Sequence, residues 1–280
     1  MNTIAQYDKA SIASSRAVTG VYSTSFSIAI RSLHPSMRDP IHAIYGFVRL
    51  ADEIVDTFHD HDKRQLLDRF RQETDRAVEE GISLNPILQS FQKVVKQYGI
   101  EAALYHDFLK SMAMDLTDRQ HDRSSYENYI FGSAEVVGAM CLRVFCQGND
   151  DLYAELRPAA MRLGAAFQKL NFLRDHKDDL QALGRSYFPG LSGNTMDRSM
   201  KEQIEKEIRA DLEAALPGIR RLPEGARFGV YTAYMYYYAL FKKIGAMPID
   251  RILHQRIRIP DHSKLAMLSV SYVRHKLGRI

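Results

Sequence analysis

Two short acidic clusters carry the clearest chemistry in this chain. Asp52 and Asp56 stand in Arg49-Leu-Ala-Asp-Glu-Ile-Val-Asp56, and Asp175 and Asp179 in Asn171-Phe-Leu-Arg-Asp-His-Lys-Asp-Asp179. Each pair is spaced i, i+4, so on a helix both carboxylates project from one face within a turn of each other. Like charges at that spacing repel, and a stripe bordered by apolar residues keeps them only when something positive compensates. A hard divalent cation meets that need. Mg²⁺ takes oxygen ligands, keeps several waters, and is commonly shared between one or two carboxylates and substrate phosphates. Two such pairs, roughly 120 residues apart in sequence, can face each other across a cleft and hold a metal–diphosphate cluster between them.

Further groups of matching chemistry lie close by. Arg49 precedes Asp52 by three residues, Arg174 adjoins Asp175, and Arg185 follows in Gly184-Arg-Ser-Tyr-Phe-Pro189. Planar guanidiniums bind diphosphate oxygens bidentately, and Tyr187 adds a phenol. Upstream, Tyr22-Ser23-Thr24-Ser25-Phe26 offers hydroxyl donors followed by an aromatic wall, and Gln168 and Asn171 lie about a turn before Asp175. Tyr234, Tyr236, Tyr237 and Tyr238 form a run whose ring faces can stabilise a carbocation. Each group also has a plainer reading: Ser23 and Ser25 as a helix cap, the tyrosines as packed core, and Met112, Met114, Met140 and Cys141 as core fillers. His59 and His61 read as polar groups at a helix end rather than metal ligands. A lone Asp-x-x-x-Asp is usually solvated surface, but two, each flanked by Arg and apolar neighbours, favour chemistry.

Composition bounds the setting. The chain has 280 residues, 45% of them hydrophobic and 26% charged, which is ordinary for a globular protein and excludes disorder. A net charge of +4 suits an anionic ligand or an anionic membrane surface. Lys and Arg are dispersed without a nucleic-acid motif, so nucleic acid is not an expected partner. The two cysteines, Cys141 and Cys146, sit five apart on a helical stretch and imply a reduced, cytoplasmic setting. The N-terminus lacks the basic and apolar regions of a signal peptide, and no run of about 18 uncharged apolar residues suggests a membrane span. The basic segments Arg256-Ile-Arg258 and Arg274-His-Lys276 read first as a solvated face, with peripheral contact at the inner membrane face as the alternative.

The elements that must position these residues read as helices. Apolar residues recur at three-and-four spacing over 38–58, 64–80, 86–98, 101–115, 124–147, 151–176, 198–215, 225–246 and 263–277. Breaks fall at His34-Pro35-Ser36, Asn85-Pro86, Gly148-Asn149-Asp150, Pro189-Gly190 to Asn194, and Leu222-Pro223-Glu224-Gly225. Asn85 and Asn149 or Asp150 read as N-caps. No strand alternation, repeat or long linker appears, so the expectation is one all-α domain over 1–280, with a pocket between facing helices.

The stretches Tyr-Ser-Thr-Ser-Phe (22–26), Ala43 to Asp56, Gly164 to Asp175, Gly184 to Pro189 and Arg256 to Pro260 together resemble the squalene and phytoene synthase family, above all its bacterial phytoene synthases. They occur in family order across nearly the whole length. The resemblance implies an all-α isoprenoid-synthase bundle with a central apolar cavity. It also implies head-to-head condensation of two geranylgeranyl diphosphates, through a cyclopropyl (prephytoene) diphosphate, to phytoene, the first step of carotenoid biosynthesis. Mg²⁺, with Mn²⁺ as a substitute, would be held by Asp52, Asp56, Asp175 and Asp179; NADPH is not expected. Ser23, Ser25, Phe26, Arg49, Gln168, Asn171, Arg174, Arg185 and Arg256 would surround the prenyl diphosphate substrates, and Tyr187 and Tyr237 would join the aspartates in catalysis. Peripheral membrane contact would serve release of the hydrophobic product. Alternatives are a squalene or dehydrosqualene synthase using farnesyl diphosphate, whose chain length depends on pocket depth, and a non-catalytic scaffold relative. A scaffold would be expected to have lost its aspartates, and all four are present. The chain departs from the family pattern at Asp52-Glu53 and Asp178-Asp179, which preserve charge, and at Glu135, whose charge in a pocket-lining helix would bear on substrate selectivity.

Overall fold

Local signals set most helix starts. Asp62, Asn85, Asp122, Asn149 and Asp197 each precede a helix, and each side chain accepts a backbone N–H from its first turn, satisfying a donor the helix leaves unpaired. Gly81 and Gly99, at φ 76° and 63°, end two helices in the left-handed region that suits glycine. The structure is a computed structural model and describes residues 3–118, 120–191 and 195–276. The described chain is all-α, with no strand. Its first half holds α1 (Thr3–Tyr22), α2 (Thr24–Arg31), α3 (Pro35–Asp56), α4 (Lys63–Glu80), α5 (Pro86–Tyr98), α6 (Ala102–Met114), α7 (Arg123–Ile130) and α8 (Val136–Cys146). The second holds α9 (Asp150–Asp178), α10 (Arg198–Arg221), α11 (Glu224–Gly245), α12 (Ile249–His254) and α13 (Asp261–Lys276).

Several boundaries differ from the sequence reading. The chain before Pro35, to which the periodicity assigns no helix, forms α1 and α2, the second capped by Ser23. The buried side of α1 consists of Ser11, Ser15 and Thr19 rather than an apolar stripe. Their hydroxyls fold back onto the helix or across to Ser90, which Ser15 meets at 2.7 Å. Gly46 of α3 makes room for this, because a Cβ there would come within 2.9 Å of the Ser15 Oγ. The helix expected over 124–147 is α7 and α8 joined by a π-helical turn, Phe131–Glu135, and a second π turn, Asp179–Leu183, extends α9. Such turns cluster at functional sites. The helix expected to stop at 215 runs through Pro217 to Arg221. Of the expected break at 189–194, residues 192–194 lie outside the described residues, as does 277 of the last helix.

Two apolar clusters make up the core. One is built around α3 with α4, α5, α6 and α8; the other joins α9 to α10, α11 and α12. Gly138 on α8 and Gly164 on α9 permit a close backbone crossing between the clusters. A Cβ on either would sit 2.5 Å or less from a carbonyl oxygen of the facing segment. α3 and α9, which carry the acidic pairs, both border the cavity left beside that crossing. Among the described residues one helical run, 123–146, is long and apolar enough to cross a membrane. It is a core helix here, with 61% of its most apolar window buried.

Candidate active site

The first acidic pair closes the C-terminal end of α3. Arg49 donates to Asp52 at 2.5 Å and to Glu53, and its guanidinium stacks on the Tyr22 ring at 4.1 Å. The second pair ends α9 and enters the π turn. Arg174 donates to Asp175 at 2.5 Å, and Arg256 reaches Asp175 at 2.9 Å and Asp178 at 3.4 Å. Arg185 joins the two ends: it is 3% exposed, donates to Asp56 at 2.5 Å and to the Val55 carbonyl at 3.3 Å, and follows the π turn that carries Asp179.

Behind this joint lies a buried group absent from the sequence reading. Asp115, at the C-cap of α6, accepts the Tyr129 hydroxyl at 2.7 Å and the Tyr187 hydroxyl at 3.3 Å, and it stands 3.5 Å from Arg185. Tyr187 stacks flat on Phe172 at 4.1 Å, and the His121 ring lies nearly parallel to it at 5.7 Å. Tyr187 and Arg185, expected among catalytic and substrate-binding groups, therefore face Asp115 and Asp56 in this structure; neither lines the cavities described below. Tyr129 does line the cleft mouth, with its hydroxyl fixed by Asp115. The available signal was a lone carboxylate ending an apolar helix, where the helix dipole disfavours negative charge and a cationic partner is needed.

Charge in this region is unbalanced: Arg49, Arg174, Arg185 and Arg256 face Asp52, Glu53, Asp56, Asp115, Asp175, Asp178 and Asp179. Burial and this surplus of negative charge raise the carboxyl pKa values. Asp52 keeps 31% of its side chain accessible, yet burial among neighbouring groups and the Asp56 charge push its pKa up to about 7. Burial, then Asp175 and Asp56, push Asp179 up to about 8; burial pushes Asp115 up to about 7 against the pull of Arg185. Among the described residues no three His, Cys, Asp or Glu side chains form a closed metal cluster. An all-oxygen donor set with surplus negative charge fits a hard divalent cation that completes its shell with water and a polyanion.

Two connected cavities open beside Asp52 and Asp175, whereas Asp56 and Asp179 line neither. The polar mouth, about 690 Å³, is bordered by Tyr22, Ser23, Ser25, Asp52, Asp175 and Arg256, along with Arg49 and Arg174. The second cavity, about 310 Å³, is an apolar channel between α2, α3, α8, α9, α10 and α11. Phe26, Tyr45, Val48, Ser133, Gln168 and Asn171 border both, so the mouth continues into the channel. Phe26 lies 6.2 Å from Tyr237, Tyr237 stacks on Phe167 at 3.8 Å, and its hydroxyl donates to Asn171 at 3.1 Å. Tyr234 instead stacks with Tyr231 and Tyr238 in the core. Ser23 caps α2 by accepting the Phe26 N–H and still borders the mouth, as Ser25 does. Glu135 is not among the channel-lining residues. Its pKa is raised by burial, and Arg162 and Lys169 of α9 act on its charge. Those two residues ion-pair with Asp211 of α10, so Glu135 belongs to an ionic layer behind α9 rather than to the channel wall.

Comparison with known proteins finds similar chains. The squalene/phytoene synthase family profile matches residues 20–262. A phytoene synthase of Arthrospira platensis is 24% identical, over 94% of this chain and 92% of that protein. A presqualene diphosphate synthase of Zymomonas mobilis is 30% identical, over 90% of this chain and 82% of that protein. A ligand-bound dehydrosqualene synthase structure superposes with TM-score 0.82 at 20% identity, covering 97% of this chain and 98% of that one. A squalene synthase structure from Alicyclobacillus acidocaldarius gives 0.74 at 18%, covering 85% and 94%.

Proposed function

The chain belongs to the squalene/phytoene synthase family, and on that premise we propose that it is a phytoene synthase, joining two geranylgeranyl diphosphates head to head. The observation that carries the choice of substrate is the length of the apolar channel. From Asn171 at the mouth to Leu156 at the far end, the lining residues of α9 span about 22 Å at the rise of an α-helix. An extended prenyl tail advances about 5 Å per isoprene unit, so a C20 tail needs about 20 Å and a C15 tail about 15 Å. That reach supports the longer tail.

Asp52 and Asp56 on α3, and Asp175 and Asp179 at the end of α9, would hold Mg²⁺, for which Mn²⁺ can substitute. When bound, the metal neutralises charge on the departing diphosphate. Arg49, Arg174 and Arg256 orient the diphosphate oxygens, aided by Ser23 and Ser25, so that one allylic C–O bond breaks with its electron pair leaving on diphosphate. Phe26, Phe167 and Tyr237 present ring faces beside the resulting cation. Attack by the second chain's double bond and loss of a proton give a cyclopropyl diphosphate. Its ionisation, rearrangement and loss of a further proton give the hydrocarbon. The apolar wall excludes water that would quench each cation. No hydride is needed, so NADPH has no role in this reading.

A second reading keeps the chemistry and uses farnesyl diphosphate, favoured by the 30% identity with a presqualene diphosphate synthase. Purified protein incubated with Mg²⁺ and each prenyl diphosphate, with and without NADPH, separates the two by product mass. A C40 hydrocarbon from geranylgeranyl diphosphate without NADPH is expected. C30 products alone would overturn the assignment, and no turnover of either substrate would favour a scaffold role.

A further inference from the structure

We infer that Lys169 and Asp211 are positioning residues, whose buried ion pair fixes the rotation of α9 and so aims Gln168 and Asn171 into the neck between mouth and channel. Lys169 follows Gln168 on α9 and is 7% exposed. Its ammonium donates to one Asp211 oxygen at 2.8 Å and stands 3.5 Å from Glu207, both on α10. Arg162 donates to the other Asp211 oxygen at 3.2 Å. It lies two turns before Lys169, so both cations leave α9 on the same face and grip one carboxylate, itself 4% exposed. Arg123 of α7 donates to Glu207 at 2.6 Å, which ties a third helix to the layer.

Stability does not account for this pair. Ala165, Ala166, Leu170 and Leu173 of α9 and Ile208 and Leu212 of α10 belong to one buried apolar cluster, so apolar side chains at 169 and 211 would extend the same contact. A buried ammonium and carboxylate lose hydration that their attraction scarcely offsets, and apolar replacements are often neutral or stabilising. What the ion pair adds is direction. Apolar contacts are non-directional, whereas a charge-assisted hydrogen bond holds a narrow range of length and angle. α9 needs such a constraint because it crosses its neighbours at small residues: Gly164 meets the Ala134 carbonyl, Gly138 meets that of Ala160, and a Cβ on Gly218 of α10 would lie 2.3 Å from the Ala159 Cβ. Few side chains interlock there to stop the helix turning. Gln168 and Asn171 flank Lys169 within a turn and border both cavities, and Asn171 accepts the Tyr237 hydroxyl at 3.1 Å. A rotation of about 20° carries an amide about 6 Å from the helix axis through about 2 Å. An error of about 1 Å near the reacting atoms costs about a hundredfold in rate. The consequence for turnover rests on the proposed reaction; the orientation of α9 does not.

The test is the double variant Lys169→Met, Asp211→Leu, which replaces the pair by apolar residues. Arg162, with 57% of its side chain exposed, turns to water, and Glu207 keeps Arg123. Its Tm is expected no more than about 3 °C below wild type. Its kcat should fall at least about tenfold, with KM for geranylgeranyl diphosphate changed less than about threefold. A crystal structure of the variant without substrate should show the Asn171 amide displaced by at least about 1 Å and parted from the Tyr237 hydroxyl. If that variant fails to fold, Lys169→Met with Asp211→Asn, which keeps an acceptor for Arg162, should show the same split. A larger loss of Tm, a wild-type kcat, or an unmoved Asn171 each overturns the proposal. If the wild-type protein turns over no prenyl diphosphate, the reaction fails while the place of Asn171 still decides the positioning. An active wild type with Asn171 unmoved in the variant refutes the positioning alone.

Discussion

Shortening the apolar channel should convert substrate preference, and Ala160 is the place to do it. It lines the channel on the same face of α9 as Gly164, Phe167 and Asn171. At the helical rise it lies about 16 Å from Asn171, room for three isoprene units but not four. In Ala160→Phe the ring fills the space of the fourth unit. That unit loses the burial of about four methylene equivalents at about 0.8 kcal/mol each, roughly 3 kcal/mol or a factor of about 10² in kcat/KM. A C15 tail ends before the obstruction and should lose less than about threefold. Steady-state kcat/KM for geranylgeranyl and farnesyl diphosphate, with hydrocarbon mass as the product readout, measures both. If geranylgeranyl turnover stays within about threefold of wild type, or both substrates fall together, the tail does not lie along α9 and the length argument fails.

Other perturbations address the acids and their supports. Asp52→Asn and Asp175→Asn should each lower turnover by at least about a thousandfold with an unchanged helical CD spectrum; activity within tenfold of wild type would remove their metal role. Arg185→Met strands Asp115 and Asp56 without their counter-charge and should destabilise the protein by about 3–5 kcal/mol in thermal unfolding. Adding Asp115→Asn should restore part of that loss, and a double variant no more stable than the single would show that the pair is not coupled. In the folded protein Asp52, Asp115 and Asp179 release protons only near pH 7 to 8, against an ordinary value of 3.8. Between those limits the folded state binds more protons than the unfolded, so stability falls as pH rises. Burial lowers the pKa of His42 and His121 below 6.5, which opposes the trend only at lower pH. Metal-free protein should therefore lose about 2–5 °C of Tm from pH 6.5 to 8. Mg²⁺ with pyrophosphate should abolish that loss, and a flat profile without metal would contradict the charge imbalance.

The acidic pairs, the arginines beside them and the helix caps at Ser23, Asn85 and Asn149 were legible because each is a local pattern, readable within a turn or two of sequence. Gln168 and Asn171 share the cleft with Asp175 as their spacing suggested, since α9 carries one continuous face from Leu156 to Asp175, and Phe26 joins them from α2. α1 was hidden because its buried side is serine and threonine, which hydrophobic periodicity does not register. Asp115 was hidden because its partners Tyr129, Arg185 and Tyr187 lie 14 to 72 positions away and meet only in the folded chain. The same limit misdirected Glu135: its sequence position promised a place in the channel wall, and the π turn together with the close crossing of α8 and α9 coincides with its belonging to the layer behind.

The most direct test is a crystal structure of the protein with Mg²⁺ and a non-ionising thio-analogue of geranylgeranyl diphosphate. Metal density between the carboxylates of α3 and α9, the diphosphate against Arg49, Arg174 and Arg256, and the tail running past Gln168 toward Leu156 are predicted. A diphosphate bound away from both acidic pairs, or a tail lying outside the channel, would contradict the account.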